Sequence, residues 1–132
     1  MTSGYVLFRL ADHTFATPLD VVREIVRLSG IEPLPGTSPP MVGVIVLRGF
    51  PLPVLDVRHE AGDQVSGDCL VVELDGDLVG VAVDGVVAVL QPDELDAGDP
   101  PGGQLPSYVT GVGRRGNDPV LMVDLKAFVA AA

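Results

Sequence analysis

The sequence predicts an all-β protein, and three of its features support that class. Valine and leucine dominate the apolar residues, tryptophan is absent, and 16 glycines and 12 prolines break the chain at short intervals. Such breaks leave little room for helices of ordinary length, while β-branched runs between turn residues favour strands. A hydrophobic fraction of 47% excludes intrinsic disorder. The 132 residues fit one compact unit or two very small subdomains that share a core.

The sequence also contains an internal repeat. GVIVLRGFPLPVLDVR can be laid over GVGRRGNDPVLMVDLK, which places Gly43 on Gly111 and Asp56 on Asp124. A slightly smaller offset lays PLDVVREIV over AVDGVVAVL. Chance similarity among valine-rich strands is the alternative explanation. We interpret the chain as two halves of one plan, subdomain one at about residues 4–60 and subdomain two at about 68–127.

Each half is predicted to hold five short strands. In the first half they lie at 5–10, 13–19, 22–28, 42–48 and 51–56, and in the second at 69–75, 77–83, 86–90, 109–115 and 119–124. Asp and Gly in LADHTF and ELDGDL indicate hairpin turns, whereas the Pro- and Gly-rich segments 30–40 and 91–107 indicate loops. Five strands this short close most economically into a small barrel, which removes exposed edges.

Two segments require a choice between helix and strand. DVVREIVRL, at 20–28, fits a helical face with Asp20 as its N-cap, but its repeat partner VDGVVAVL is β-like. We therefore expect one turn at Asp20 followed by a strand. DLKAFVAA, at 124–131, is predicted to be a short C-terminal helix capped by Asp124, and DVRHEAG, at 56–62, is its possible counterpart.

Charge and cysteine content exclude several classes of partner. A formal charge of −10 repels phosphate backbones and anionic lipid, so neither nucleic acid nor direct membrane binding is expected. The N-terminal residues do not resemble a signal peptide, and no apolar run approaches the roughly 18 residues of a spanning helix. Cys69 is the only cysteine, either a small core residue or a reactive thiol. A cytoplasmic location suits this cysteine usage.

Catalytic and metal chemistry find little support in the sequence. His13 and His59 are the only histidines, too few ligands at usable spacing for a zinc site. A nucleophilic pair of Cys69 with either histidine stays open, although a strand-centred cysteine with apolar neighbours is seldom activated. Asp56 and Asp124 are more simply explained as turn caps than as a carboxylate pair. We expect no cofactor, no metal and no catalytic residue.

The order of these motifs resembles the CheW-like domain family of bacterial chemotaxis. The resemblance runs through FRLADHTFATPLDVVREIVRL, LVVELDGDLVGVAVDGVVAVL and YVTGVGRRGNDPVLMVDLKAFV, and its most specific part is Leu-Arg-Gly followed by Pro-x-Pro-x-x-Asp-x-Arg at 47–58. It implies a single domain over 1–132, built from two five-stranded SH3-like β-barrel subdomains packed together. It also implies a non-enzymatic adaptor in signal transduction.

The same resemblance implies partners and contact residues. Members couple the cytoplasmic tip of methyl-accepting chemoreceptors to the regulatory domain of a CheA-type histidine kinase, so recruitment to membrane receptor arrays would be indirect. The family segments V-x-E-I and G-x-x-x-L-R-G, associated with receptor or kinase contact, fall here on Val22, Glu24, Ile25, Gly43, Arg48 and Gly49. Val46 stands where the family usually has Asn, a departure that concerns receptor recognition.

Each candidate also has a simpler structural interpretation. Gly49 can supply the positive φ of a tight turn, with Arg48 merely solvated beside it. Glu24 can belong to a surface charge set with Arg23 and Arg27. Val22 and Ile25 can be core residues. Two further functions remain as alternatives: a diverged adaptor for another kinase or motility pathway, and a small β-barrel ligand-binding protein or enzyme.

Overall fold

The computed structural model describes residues 3–57, 67–98 and 105–131, and within them the chain is all-β with one short helix. Every predicted strand is confirmed, with each end within one residue of its expected place. The strands are β1 Tyr5–Leu10, β2 His13–Pro18, β3 Val22–Arg27, β4 Met41–Leu47, β5 Phe50–Asp56, β6 Asp68–Leu74, β7 Asp77–Val83, β8 Gly85–Leu90, β9 Val109–Arg115 and β10 Asp118–Val123, followed by the helix α1 Leu125–Ala130.

Both ambiguous segments resolve as predicted where they are described. Leu19–Val21 forms a single 3₁₀ turn that leads directly into β3. Asp124 is the N-cap of α1, and its Oδ1 accepts a hydrogen bond from the Lys126 backbone N–H at 3.1 Å. Most of 56–62, the possible counterpart of α1, lies outside the described residues.

The strands form two five-stranded sheets of matching order. The first sheet runs β8-β1-β2-β10-β9 and the second runs β3-β6-β7-β5-β4. Advancing every strand number by five converts one order into the other, including the parallel pairs β2 with β10 and β5 with β7. This correspondence supports the internal repeat.

The sheets do not coincide with the two halves at 4–60 and 68–127. The β1–β2 hairpin of the first half pairs with β8 and β10 of the second half, and β6–β7 pairs with β3 and β5 of the first. Each sheet therefore takes strands from both sequence halves.

Three apolar clusters form the core of the described residues. The largest lies between the sheets and combines Val6, Phe8 and Phe15 with residues of the second sheet such as Leu70 and Val81. Two smaller clusters each belong mainly to one sheet: Leu28, Ile45, Leu52, Val54, Cys69, Val71 and Ala82 in the second, and Leu7, Ala16, Leu90, Leu95 and Val120 in the first. Each sheet thus has its own apolar cluster, and the third cluster packs the two sheets against each other.

Each sheet stays open between its outer strands. In the described part of the chain, no ladder joins β3 to β4 or β8 to β9, so strand pairing does not form the closed barrels expected from sequence. In each sheet one isolated bridge joins the loop after one outer strand to the opposite outer strand. Glu32, in the loop after β3, pairs with Val44 of β4, and Asp96, in the loop after β8, pairs with Arg114 of β9. We call the gap between β3 and β4 the seam of the second sheet.

Candidate protein-binding site

The Arg48-Gly49 pair forms a two-residue hairpin turn between β4 and β5. Leu47 and Phe50 pair across it, and both turn residues have positive φ, 48° at Arg48 and 84° at Gly49. Positive φ at both positions defines a type I′ turn, which favours Gly, Asn or Asp. The positive φ expected at Gly49 is confirmed. Arg48 is less expected in this conformation, since a non-glycine residue there is strained.

The equivalent hairpin of the other sheet makes the contrast clear. Between β9 and β10 the turn is Gly116-Asn117, so Gly116, with φ 63°, occupies the place of Arg48. The fold therefore works with glycine at this position. A long cationic side chain held in a strained turn motivates a functional hypothesis rather than a purely structural one.

Arg48 and Glu24 form a forked ion pair across the seam. Arg48 Nη1 donates to Glu24 Oε2 at 3.1 Å, and Nη2 donates to Oε1. These hydrogen bonds lower the pKa of Glu24 and raise the pKa of Arg48. The Arg48 side chain remains 70% exposed, against 27% for Glu24. The structure thus brings together two site residues predicted from separate segments.

The surface charge set expected around Glu24 has a different arrangement. Arg23 pairs with Glu73 of the neighbouring strand β6 rather than with Glu24. Both partners are substantially exposed, so this second pair contributes little to stability.

Val22 and Ile25 take different positions on β3. Val22 is partly buried and packs against the core between the sheets. Ile25 is exposed, as are Arg23 and Arg27 on the same strand. Of the two, only Ile25 is exposed to solvent.

Gly43 is buried and has a backbone role. A Cβ at Gly43 would lie 2.3 Å from the carbonyl oxygen of Glu32, and φ is +148°. At the repeat-equivalent Gly111, a Cβ would lie 2.4 Å from the carbonyl oxygen of Gly98. Both glycines therefore let a preceding loop approach the edge strand closely. Gly43 shapes the site without presenting a side chain to it.

Exposed apolar side chains flank Arg48 in the hairpin, as expected of an arginine placed among Val46, Leu47, Phe50 and Leu52. Val46 is 68% exposed and Phe50 is 74% exposed. A groove of about 350 Å³ lies along the seam beside Val46. It is lined by Val26 and Arg27 of β3, the β4 residues Ile45, Val46 and Leu47, and the loop residues Ser29, Gly30 and Glu32. The sequence of β4 indicates this exposed apolar surface, because residues are apolar at its outward-facing as well as its inward-facing positions. We call Arg48 and its exposed apolar neighbours in the hairpin, Val46 and Phe50, the Arg48 patch.

A second exposed apolar strip lies on β8, an outer strand of the first sheet. Val87 is 45% exposed and Val89 is 55% exposed. The β-like pattern of VDGVVAVL predicted the strand but not which of its side chains would face solvent. An outer strand presents unpaired backbone groups, and these two valines expose apolar side chains along it.

The fold agrees with comparisons to known proteins. A model of the CheW-like domain matches residues 4–132. The chain belongs to the CheW-like domain family. Two curated relatives are both named chemotaxis protein CheW. The relative from Treponema pallidum (strain Nichols) is 23% identical over 91% of this chain and 78% of the relative. The relative from Rhizobium meliloti (strain 1021) is 29% identical over 69% of this chain and 62% of the relative.

A solved CheW structure shows the same fold. The scaffolding protein TtCheW from Thermoanaerobacter tengcongensis matches with a TM-score of 0.77, covering 97% of this chain and 92% of that protein at 24% identity. The CheW-like family consists of scaffold proteins rather than enzymes, which agrees with the expected lack of catalysis.

The remaining chemical candidates do not form a site in the described residues. Cys69 is fully buried, and burial raises the pKa of its thiol to about 11, so it is a core residue rather than an activated nucleophile. Across 3–57, 67–98 and 105–131 no three His, Cys, Asp or Glu side chains gather closely enough to hold a metal ion. The one α-helix in these ranges is far too short to cross a membrane. His59 lies outside them.

Proposed function

We propose that this protein is a non-enzymatic adaptor in chemotaxis-like signal transduction, coupling chemoreceptors to a CheA-type histidine kinase. The observation that carries the proposal is the forked Glu24–Arg48 ion pair, which holds an exposed guanidinium in a hairpin that also exposes Val46 and Phe50. Family membership supplies the class of partner, and the CheW name of both curated relatives supplies the pathway.

The patch has the chemistry of a protein-binding surface. Arginine is a frequent interface anchor because its planar group forms forked bonds to carboxylates or carbonyls while its stem packs on apolar neighbours. Val46 and Phe50 supply those neighbours, and Glu24 holds the guanidinium in one orientation before a partner arrives. Pre-orientation lowers the entropic cost of binding.

The regulatory domain of the kinase and the cytoplasmic tip of the receptor are the two partners in this proposal. Ile25, Arg48 and Gly49 are the proposed contact residues, because all three are exposed, with Glu24 positioning Arg48. Val22 and Gly43 support the site from within the fold. The protein would act in the cytoplasm and reach membrane receptor arrays through its partners.

An SH3-like barrel for each sheet also belongs to this proposal. The isolated bridges of Glu32 with Val44 and Asp96 with Arg114 bring the segments after β3 and β8 against the opposite outer strands. The Glu24–Arg48 pair adds a side-chain link across the seam. These contacts support a barrel-like curl of the sheets.

A diverged adaptor for another kinase or motility pathway is the second candidate function. Val46 favours it, because a strongly exposed valine replaces the polar asparagine usual in the family at a position beside Arg48. Such a change alters which partner surface matches the patch without altering the fold.

Calorimetry of the purified protein with the CheA-type regulatory domain of its own organism tests the proposal. We expect saturable micromolar binding, weakened about tenfold or more by Arg48→Ala, as for an interface anchor. Glu24→Gln should weaken binding less, because it disturbs the orientation of Arg48 but leaves its charge. Arg115→Ala, on the equivalent hairpin of the first sheet, is the matched control and should bind normally.

Each other outcome has a defined meaning. Normal binding by Arg48→Ala would place the kinase contact elsewhere on the molecule. No binding by the unmodified protein, together with binding to a different kinase from the same organism, would favour the diverged adaptor.

A further inference from the structure

The backbone of Val46 faces the seam without a partner in the described part of the chain. Alternate residues of a strand direct their N–H and C=O groups to the same side. The N–H and C=O of Val44 both bond to Glu32, at 2.9 and 2.8 Å, so those of Val46, two residues further along β4, face the seam as well. On the other side of β4 the neighbour of Val46 is Pro51, which has no N–H to donate. Val46 therefore presents one donor and one acceptor at an open strand edge.

The loop after β3 stops short of Val46. If the antiparallel bridge of Glu32 with Val44 continued, Gly30 would lie opposite Val46. Gly30 has a φ of 67°, outside the range of strand residues, and forms no backbone bond with Val46. The space beside Val46 is instead the groove of about 350 Å³ along the seam, which we call the seam groove. One short strand position between β4 and β3 is thus left open.

Arg27 brings an uncompensated positive charge to the seam groove. It is exposed at the end of β3 and lines the groove. Arg23 and Arg48 each pair with a glutamate, whereas Arg27 forms no ion pair with any residue that the structure describes. Glu32 lines the groove as well and repels other acidic groups, so the position for a ligand carboxylate is beside Arg27.

We propose that the seam groove receives an extended segment of the partner, which pairs with the Val46 backbone and directs an acidic side chain to Arg27. Strand addition of this kind takes its affinity from main-chain hydrogen bonds and its specificity from alternate side chains. The segment continues the pairing that Glu32 begins, and its outward side chains lie beside the exposed Val46 and Arg27. The seam groove is continuous with the Arg48 patch, because Val46 belongs to both. The inference rests on the proposed adaptor function and adds to it the chemistry of the partner segment.

Hydrogen exchange followed by nuclear magnetic resonance tests the backbone pairing. The full chain is measured alone and in complex with the CheA-type regulatory domain of its own organism. We expect exchange of the Val46 amide to slow by about tenfold or more in the complex, because its N–H becomes hydrogen-bonded. The amide of Gly49, in the neighbouring turn, is the control for simple covering by the partner. Slowing at Val46 that does not exceed the slowing at Gly49 would overturn the inference.

Calorimetry with charge-removing variants tests the role of Arg27. Arg27→Gln should weaken binding of the regulatory domain about tenfold and make the remaining affinity less sensitive to salt between about 50 and 300 mM, because one ion pair is lost. Arg9→Gln removes the same charge from an exposed position on β1 of the other sheet and should leave both quantities unchanged. Equal effects of the two variants would mean that Arg27 acts only through net charge, which would overturn the inference.

The failure of this inference can be told from the failure of the adaptor proposal. If the unmodified protein does not bind the regulatory domain, both are overturned. If it binds and Arg48→Ala weakens the complex, while Arg27→Gln and the Val46 amide behave like their controls, the adaptor proposal stands and only the strand addition is overturned.

Discussion

Glu24 and Arg48 connect the two outer edges of one sheet. They are 24 residues apart in the sequence, and their strands are not paired with each other. Glu24 lies on β3, at one edge, and Arg48 lies in the turn after β4, at the other. The pair is forked, and a forked pair fixes the plane of the guanidinium as well as its position. An exposed arginine held in this way is already oriented, as the proposed adaptor function requires of a contact residue.

Titration of Glu24 should report this pair directly. The pKa of Glu24 is lowered chiefly by the Arg48 hydrogen bonds, so the carboxylate stays charged below the ordinary value of 4.5. The stability that the pair provides is fully present above that ordinary value and is lost as pH falls through the lowered one. Carbon-detected magnetic resonance should find the midpoint of Glu24 below 4.5, and Arg48→Ala should return it to the ordinary range. An unchanged midpoint in Arg48→Ala would show that the pair does not form in solution.

The buried glycine and the turn glycine should respond differently to substitution. Gly43→Ala places a methyl group against the Glu32 carbonyl in addition to a strained φ, and should lower the free energy of unfolding by about 2–4 kcal/mol. Gly49→Ala meets nothing within 4 Å and has only the positive φ to oppose it, so a loss of about 1–2 kcal/mol is expected. Urea denaturation measures both. Equal losses would contradict the close approach at Gly43.

The strands were predictable because their causes are local. Alternation of side chains and the turn dipeptides Asp75-Gly76 and Arg48-Gly49 act over a few residues, and they place each strand end within one residue. The single turn before β3 was predictable for a related reason, since its repeat partner contains Gly85.

The division of strands between the sheets was not predictable in this way. β1 pairs with β8, far along the chain, and a repeated sequence offers two equivalent sets of partners to each strand. Local patterns cannot distinguish one copy from the other. The same limit applies to the site: the resemblance predicted Glu24 and Arg48 separately, but only the folded second sheet brings them together.

Val46 should set which partner this protein accepts. In the proposed complex with the kinase regulatory domain, we expect Val46→Asn to weaken binding by about tenfold. The substitution removes the apolar contact that the exposed valine would make with the partner. Leu78→Asn, an exposed apolar position at the start of β7, is the matched control and should have no effect. Calorimetry with both variants measures the difference. If Val46→Asn binds as well as the unmodified protein, position 46 does not determine the partner.

Cys69 should make the folded protein less stable as pH rises above 9. Burial raises the pKa of the thiol from 9.0 to about 11, a change partly opposed by a hydrogen bond with the Val81 backbone. The unfolded chain exposes the thiol and loses its proton first, so stability is complete below pH 9 and declines by roughly 2–3 kcal/mol on approach to pH 11. Because other groups also titrate in this range, the pH dependence of the free energy of unfolding is compared with that of Cys69→Ala.

The Cys69→Ala variant is less stable at every pH because the substitution leaves a cavity, but its stability should fall less steeply as pH rises. Urea denaturation under reducing conditions from pH 7 to 10.5 gives both curves, and parallel curves would mean that the thiol is not buried in its neutral form.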